Sequence, residues 1–369
     1  MPKGRLGSID FLRGVASLAV VVYHVFAMGL FNAAFDPARS LVETLYKIPI
    51  SFGYTGVYLF FVISGFCIHL RWAKARAFNK TDFSLNFAAF WRRRMIRLYP
   101  AYLATLAVGL GIAYYKGVLD FTPFFYWDLV SHLLMLHNFD ARTVYSIDSV
   151  LWTLAIEEQL YLAYFLLVWL RDKIGWKRTL AICLGVRVGW FAAAYVFSTF
   201  FGVNLPVTES SMANWIVWAL GAVAVEAALK IIELPKWTSY LSIGVPVLLL
   251  TAGLEYLDFY AGRTGLLHKF TWLVAQPLWG IGFFIVINRF VDSEINWFKW
   301  KSLRYVDRNL GIKMFAGIGI FSYSLYLIHE YVLEFVKSQT ILTVLICVAA
   351  AWLFYLAFEK PFIRILEKK

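Results

Sequence analysis

Charge is scarce in this sequence. Only 16% of the 369 residues are Asp, Glu, Lys or Arg, where a soluble globular domain carries roughly 25%. Cysteine is scarcer still. Cys67, Cys183 and Cys347 each lie inside an apolar stretch, with neither metal-ligand spacing nor the even count of a disulfide framework. They read as packing residues, and no metal site is expected. A cleavable signal peptide is also missing: the first apolar stretch is long, contains ionisable groups and lacks a small-residue cleavage site. No transporter-like internal repeat is evident.

What is present is apolar surface. Hydrophobic residues make up 61% of the chain and aromatic residues 19%. They are gathered in runs of about 17–23 residues, the length that crosses a bilayer as a helix. Ten such runs stand out: 9–30, 54–70, 98–115, 150–170, 179–200, 212–229, 240–256, 268–287, 314–335 and 341–358. The expected fold is an all-α integral membrane protein of about ten transmembrane helices. Residues 121–136 form a shorter aromatic segment, suited to an interfacial or re-entrant helix.

Orientation follows from the basic residues. With the N-terminus cytoplasmic, the inner segments hold 26 Lys and Arg and the outer segments seven. That asymmetry places both termini in the cytoplasm and requires an even number of spans. It also accounts for the net charge of +12 as membrane orientation, so no nucleic-acid partner is implied. The longest connections, inner 71–97 and outer 116–149, leave no room for a second soluble domain.

Ionisable residues inside a bilayer are costly and therefore mark function. Arg13 and His24 are eleven residues apart in the first span. Eleven residues turn a helix through about 1100°, three turns plus roughly 20°, so both side chains share one face about 16 Å apart along the axis. Asp10, one turn before Arg13, can pair with it. His24 lies roughly 9 Å below the outer surface. Glu157 and Glu158 in the fourth span come to about 11 Å, and His329 in the ninth to about 9 Å. Two histidines and a carboxylate pair thus share one level. On the inner side, Arg94 and Arg97 are one turn apart, at a depth compatible with Arg13. Guanidinium groups on one face suit phosphate. A donor reaching from this mouth to His24 needs roughly 15–20 Å, about five extended residues, and the pantetheine arm of coenzyme A is of that order. Arg187 pairs most simply with a carboxylate such as Glu226. Ser64-Gly65 reads as a close-packing site.

These residues also carry a resemblance. Asp10-Phe11-Leu12-Arg13-Gly14 with His24, then Phe60 to Phe66, Arg94 and Arg97 with Pro100, Trp152 to Gln159, Ser322 to His329, and Glu359-Lys360-Pro361 occur in order over nearly the whole chain. The set resembles acyltransferase family 3, the membrane-bound O-acyltransferases of bacterial surface and exported carbohydrates. Phe11 stands where that family usually has Gly, and Thr153 and Ala155 where it has Ser; the ionisable positions match.

The resemblance implies one transmembrane acyltransferase domain over 1–369 in the bacterial inner membrane. Many members of that family also carry an extracytoplasmic C-terminal domain; here, with the sequence ending soon after its last span, none is expected. The resemblance also implies transfer of an acyl group, most often acetyl, from cytoplasmic acyl-CoA to a hydroxyl of a carbohydrate or lipid-linked glycan, with no permanently bound cofactor. In that frame His24 is the catalytic base, with Glu158 or Glu157 orienting it. Arg13, Arg94 and Arg97 hold the CoA phosphates, and Asp10, Trp152, Tyr323 and His329 support the site. The partners are then acyl-CoA, the glycan and membrane lipid. The rival reading is a polytopic solute or proton-coupled transporter, since intramembrane His, Glu and Arg also serve relays.

Overall fold

A computed structural model describes residues 6–26, 47–78, 85–300, 309–336, 338 and 340–367. The outer end of the first expected span, 27–30, lies outside them, as do Arg39, Lys80 and the basic residues of 301–308. The described residues are helical, as expected. In order they form α1 (Gly7–Phe26), α2 (Gly56–Ala77), α3 (Phe87–Tyr115), α4 (Pro123–Leu133), α5 (Trp152–Phe201), α6 (Ser211–Ala228), α7 (Leu241–Tyr260), α8 (Gly265–Trp300), α9 (Leu310–Ile320), α10 (Ser322–Phe335), α11 (Ile341–Phe354) and α12 (Lys360–Glu367). Between α11 and α12 the chain widens into a π-helical turn, Tyr355–Glu359.

Eight of these helices are long and apolar enough to cross a membrane, or nine if α9 and α10 are one broken span. Helix α5 accounts for two expected spans. Its 50 residues would reach about 75 Å if straight, more than twice a hydrocarbon core. It kinks at Gly175, whose φ of 76° and ψ of 167° are open to glycine alone. The fourth and fifth expected spans are its two arms. The ninth is different: α9 and α10 meet at 78°, with Ser322 Oγ donating to the freed Gly319 carbonyl at 3.1 Å. Segment 121–136 contains α4, of 11 residues, too short to span.

The chain forms two compact units: Phe61–Phe87 with Ala113–Asp292, and the described residues of Pro2–Phe60, Ala88–Ile112 and Ser293–Lys369. In the first, α2 crosses α6 at glycine. A Cβ on Gly65 would strike the Trp218 carbonyl, and one on Gly221 the Val62 carbonyl. Such contact between backbones is how helices associate where no hydrophobic force drives them together. Ser64 Oγ accepts from Trp218 Nε1 at 3.2 Å.

Below that crossing lies a buried polar hub. Glu226 accepts two hydrogen bonds from Arg171, at 2.8 and 2.7 Å, and one from Trp176 Nε1 at 2.9 Å. His69 Nε2 approaches the same carboxylate at 2.9 Å, with Tyr164 OH 3.2 Å from its Nδ1. Arg187 is therefore not the partner of Glu226. Its guanidinium donates to the carbonyls of Ala213, Trp272 and Leu273 and to Gln276 Oε1, at 2.6–2.8 Å. Matched depth along a helix does not settle azimuth, and Arg171 faces the carboxylate that depth alone had given to Arg187.

Gln159, last residue of the Glu-Glu-Gln motif, ties α5 to the loop before it. Its Nε2 donates to the Met135 carbonyl at 2.9 Å and to Asn138 Oδ1 at 2.6 Å. The ring of His137 in that loop stacks on the ring of His132 in α4, with centroids 3.9 Å apart. Burial, then the neighbouring His132, pushes the His137 pKa down to about 3.

In the second unit α1 lies against α9. A Cβ on Gly14 would meet the Phe315 carbonyl, and one on Gly319 the Asp10 carbonyl. Phe11 packs edge-on to Phe315, centroids 5.7 Å apart. The N-terminus of α1 is closed by buried Glu294, which accepts from the Gly7 and Ser8 backbone N–H at 2.9 Å each and from Ser8 Oγ. A carboxylate there meets both the orphan donors and the helix dipole.

Gly65→Ala should lower the thermal midpoint in detergent, at a cost of about 1–3 kcal/mol for overpacking. Gly111→Ala, whose Cβ would enter open space, should leave the midpoint unchanged or raise it. His137 ionises near 6.5 when unfolded and near 3 when folded. Protons therefore favour the unfolded chain, and stability drains as pH falls from about 6.5 toward 3. In His137→Phe, which keeps a ring on His132, the midpoint should fall less between pH 7 and pH 5 than in the wild type.

Candidate active site

His24 stands in the last turn of α1 and His329 in the broken-span helix α10, both in the second unit. Their rings meet, His329 Nε2 lying 3.0 Å from His24 Nδ1. His329 is fully buried, and its Nδ1 faces the carbonyls of Tyr326 and Leu325 at 2.8 and 3.2 Å. A carbonyl oxygen can only accept, so Nδ1 of His329 carries the hydrogen and its Nε2 is an acceptor when neutral. His24 Nδ1 faces that acceptor and the Val20 carbonyl, each at 3.0 Å. It too carries the hydrogen. This tautomer is assigned from the partners, and it leaves Nε2 of neutral His24 with its lone pair.

Beside that nitrogen is a carboxylate the spacing arguments did not single out. Glu330 Oε1 lies 3.3 Å from His24 Nε2, both side chains being mostly buried. The signal was adjacency: Glu330 follows His329 and points about 100° away from it around the helix. The ligand atoms of His24, His329 and Glu330 lie within 4.8 Å of one another, the one group of three or more such side chains among the described residues close enough to share a metal ion. Tyr23 sets its ring edge against His24, centroids 5.0 Å apart.

Toward the start of α1, Arg13 Nη1 lies 3.5 Å from Asp10 Oδ1. Arg13 and Arg97 both act electrostatically on Glu359. Glu359 is buried at the end of the π turn and accepts from Ser324 Oγ at 2.7 Å. Tyr323 OH donates to the Leu98 carbonyl at 3.0 Å, tying α10 to α3 just after Arg97. Arg94 sits over the Phe90 ring at 5.7 Å. Depth and spacing put Arg13 and Arg97 together; Glu359 and Ser324 join them through a widened helix that no spacing rule foretells.

Glu157, Glu158 and Trp152 belong to the first unit. Glu157 Oε2 accepts from Tyr161 OH at 2.7 Å. Glu158 is buried, and Trp152, half-buried, opens α5.

The sequence matches the model of the acyltransferase domain over residues 6–358. It is 31% identical over 212 residues to the peptidoglycan O-acetyltransferase OatA of Listeria monocytogenes, covering 52% of this chain and 29% of that protein. To the acyltransferase MdmB of Streptomyces mycarofaciens it is 26% identical over 319 residues, 76% of this chain and 78% of that protein. With the O-acetyltransferase OatA of Staphylococcus aureus it shares 29% identity over 180 residues, 44% of this chain and 24% of that protein. The match thus spans less than a third of either OatA. No solved structure matches the chain. A domain match from residue 6 to residue 358, on a chain of membrane-length helices, means that this chain belongs to acyltransferase family 3.

Proposed function

We propose that the chain is a membrane O-acyltransferase, a single domain in the bacterial inner membrane with both termini cytoplasmic. It moves an acyl group, acetyl being the family's commonest, from cytoplasmic acyl-CoA to a hydroxyl of a cell-surface or exported carbohydrate. The observation that carries this reading is the pairing on one helix of a histidine whose Nε2 holds a lone pair with an arginine three turns away that is paired with Asp10. The names of the relatives, one a peptidoglycan O-acetyltransferase, support transfer to a glycan hydroxyl.

His24 Nε2 takes the acceptor hydroxyl proton as the oxygen attacks the thioester carbon. The C–O bond forms, the C–S bond breaks, and the imidazolium returns the proton to the departing CoA sulfur, so the exchange is balanced without an outside proton. Arg13, Arg94 and Arg97 bind the CoA phosphates as charge-assisted donors. The motif carboxylates Glu157 and Glu158, in the first unit, are proposed to serve the same reaction. Tyr323 and Asp10, in the unit that holds His24, support the site, and Trp152 is proposed to serve the reaction with the motif carboxylates.

The test is incorporation of label from radiolabelled acetyl-CoA into glycans of vesicles carrying the full chain. His24→Ala should lower transfer by about 10²–10⁴-fold, the usual worth of a general base. Equal transfer by both proteins removes His24 from the chemistry, and solute flux without transfer supports a transporter instead. Arg97→Gln should raise KM for acyl-CoA by about tenfold with kcat changed less, the mark of lost ground-state binding.

A further inference from the structure

We propose that His329 and Glu330 complete the reacting group around His24. His329 is the positioning residue that holds the Nδ1–H tautomer of His24, and Glu330 is the carboxylate that balances the imidazolium formed at Nε2. The proposal rests on the reading of His24 as the base, and it assigns the base-orienting function to α10 rather than to the Glu157-Glu158 motif.

The argument is one of donors and acceptors. A neutral imidazole in water exchanges its hydrogen between two nitrogens, and only one form has the lone pair facing the substrate. Here the choice descends through a chain of contacts. The carbonyls of Tyr326 and Leu325, bound into α10, accept from His329 Nδ1 at 2.8 and 3.2 Å. That makes His329 Nε2 an acceptor, and it accepts from His24 Nδ1 at 3.0 Å. In a serine-protease triad a carboxylate performs this service. Here a neutral, fully buried histidine does it, anchored by backbone oxygens that cannot reverse their role.

A neutral orienting group has a consequence. It fixes the tautomer but brings no negative charge to offset the cation that forms when His24 Nε2 accepts the hydroxyl proton. Glu330 Oε1, 3.3 Å from that nitrogen, supplies the charge in surroundings largely cut off from water, where it acts strongly. Orientation and charge compensation are thus divided between adjacent residues of α10. They point about 100° apart, so one meets Nδ1 and the other Nε2. Proton balance is unchanged: the hydroxyl proton passes to His24 and then to the CoA sulfur, and Glu330 takes no part in the transfer.

The proposal is tested on the full-length protein in proteoliposomes, by kinetics and by ¹⁵N NMR of labelled histidine in a matched His24 knockout pair. Wild-type His24 should carry its hydrogen on Nδ1, and His329→Leu should release it to a mixture of tautomers. His329→Gln, whose amide oxygen can still accept, should hold the wild-type tautomer and outperform His329→Leu. Glu330→Gln should lower kcat at least ~10-fold with KM for acyl-CoA changed less than about twofold, and Glu330→Asp should restore most of the loss. A wild-type His24 with its hydrogen on Nε2, full kcat in Glu330→Gln, or chelator-sensitive activity restored by zinc through these three side chains would each overturn the proposal. The NMR result does not depend on turnover. An active His24→Ala enzyme with the expected wild-type tautomer would therefore refute the base reading while leaving the contact scheme standing.

Discussion

An ionised or hydrogen-bonding group in hydrocarbon must have its partners supplied by the protein, because no water stands ready to replace them. This constraint organises the polar interior. Glu226 is met by Arg171, Trp176 and His69. Arg187 is met by three carbonyls and Gln276. The orphan N–H groups at the start of α1 are met by Glu294. Removing one partner leaves the other buried and unmatched, so these contacts stand or fall as sets.

The functional cluster obeys the same rule with one difference. Glu226 is fully buried and closed by Arg171, Trp176 and His69. Around His24 the Nδ1 side is closed by Val20 and His329, while the Nε2 side faces an ionisable group in a mostly but not fully buried setting. A histidine held rigidly on one nitrogen and flanked by a carboxylate on the other is arranged for proton exchange. The proximity of the helices that carry these groups depends on glycine. Gly14 and Gly319 let α1 and α9 touch backbone to backbone, and the 78° bend after α9 turns α10 so that His329 reaches His24. Arg13 and His24, the residues proposed for donor binding and for the base, thereby stand toward opposite ends of α1.

Much of this is legible in the amino-acid order. The separation of the fourth and fifth spans, the shared face of Arg13 and His24, and the pairing of Asp10 with Arg13 all follow from rules that act within about one span: hydrophobic run length and 3.6-residue periodicity. The ordered motifs name the family because they recur along the chain, and that needs no coordinates. What periodicity leaves open is azimuth. It assigns Arg187 and Glu226 to one depth without saying which way either points.

Partnership between spans was decided by tertiary structure. His24 and His329 are separated by 305 positions, and nothing local states that their nitrogens meet or which of them carries the hydrogen. Glu330 gained its place beside Nε2 from the bend at Phe321, and Glu359 its place beside Ser324 from a π turn; both are departures from regular helix. The sequence alone determined which side chains are too costly to bury without purpose, since that cost belongs to the residue and its medium. The packed structure decided which of them answer one another, because that depends on how glycine-lined helices cross.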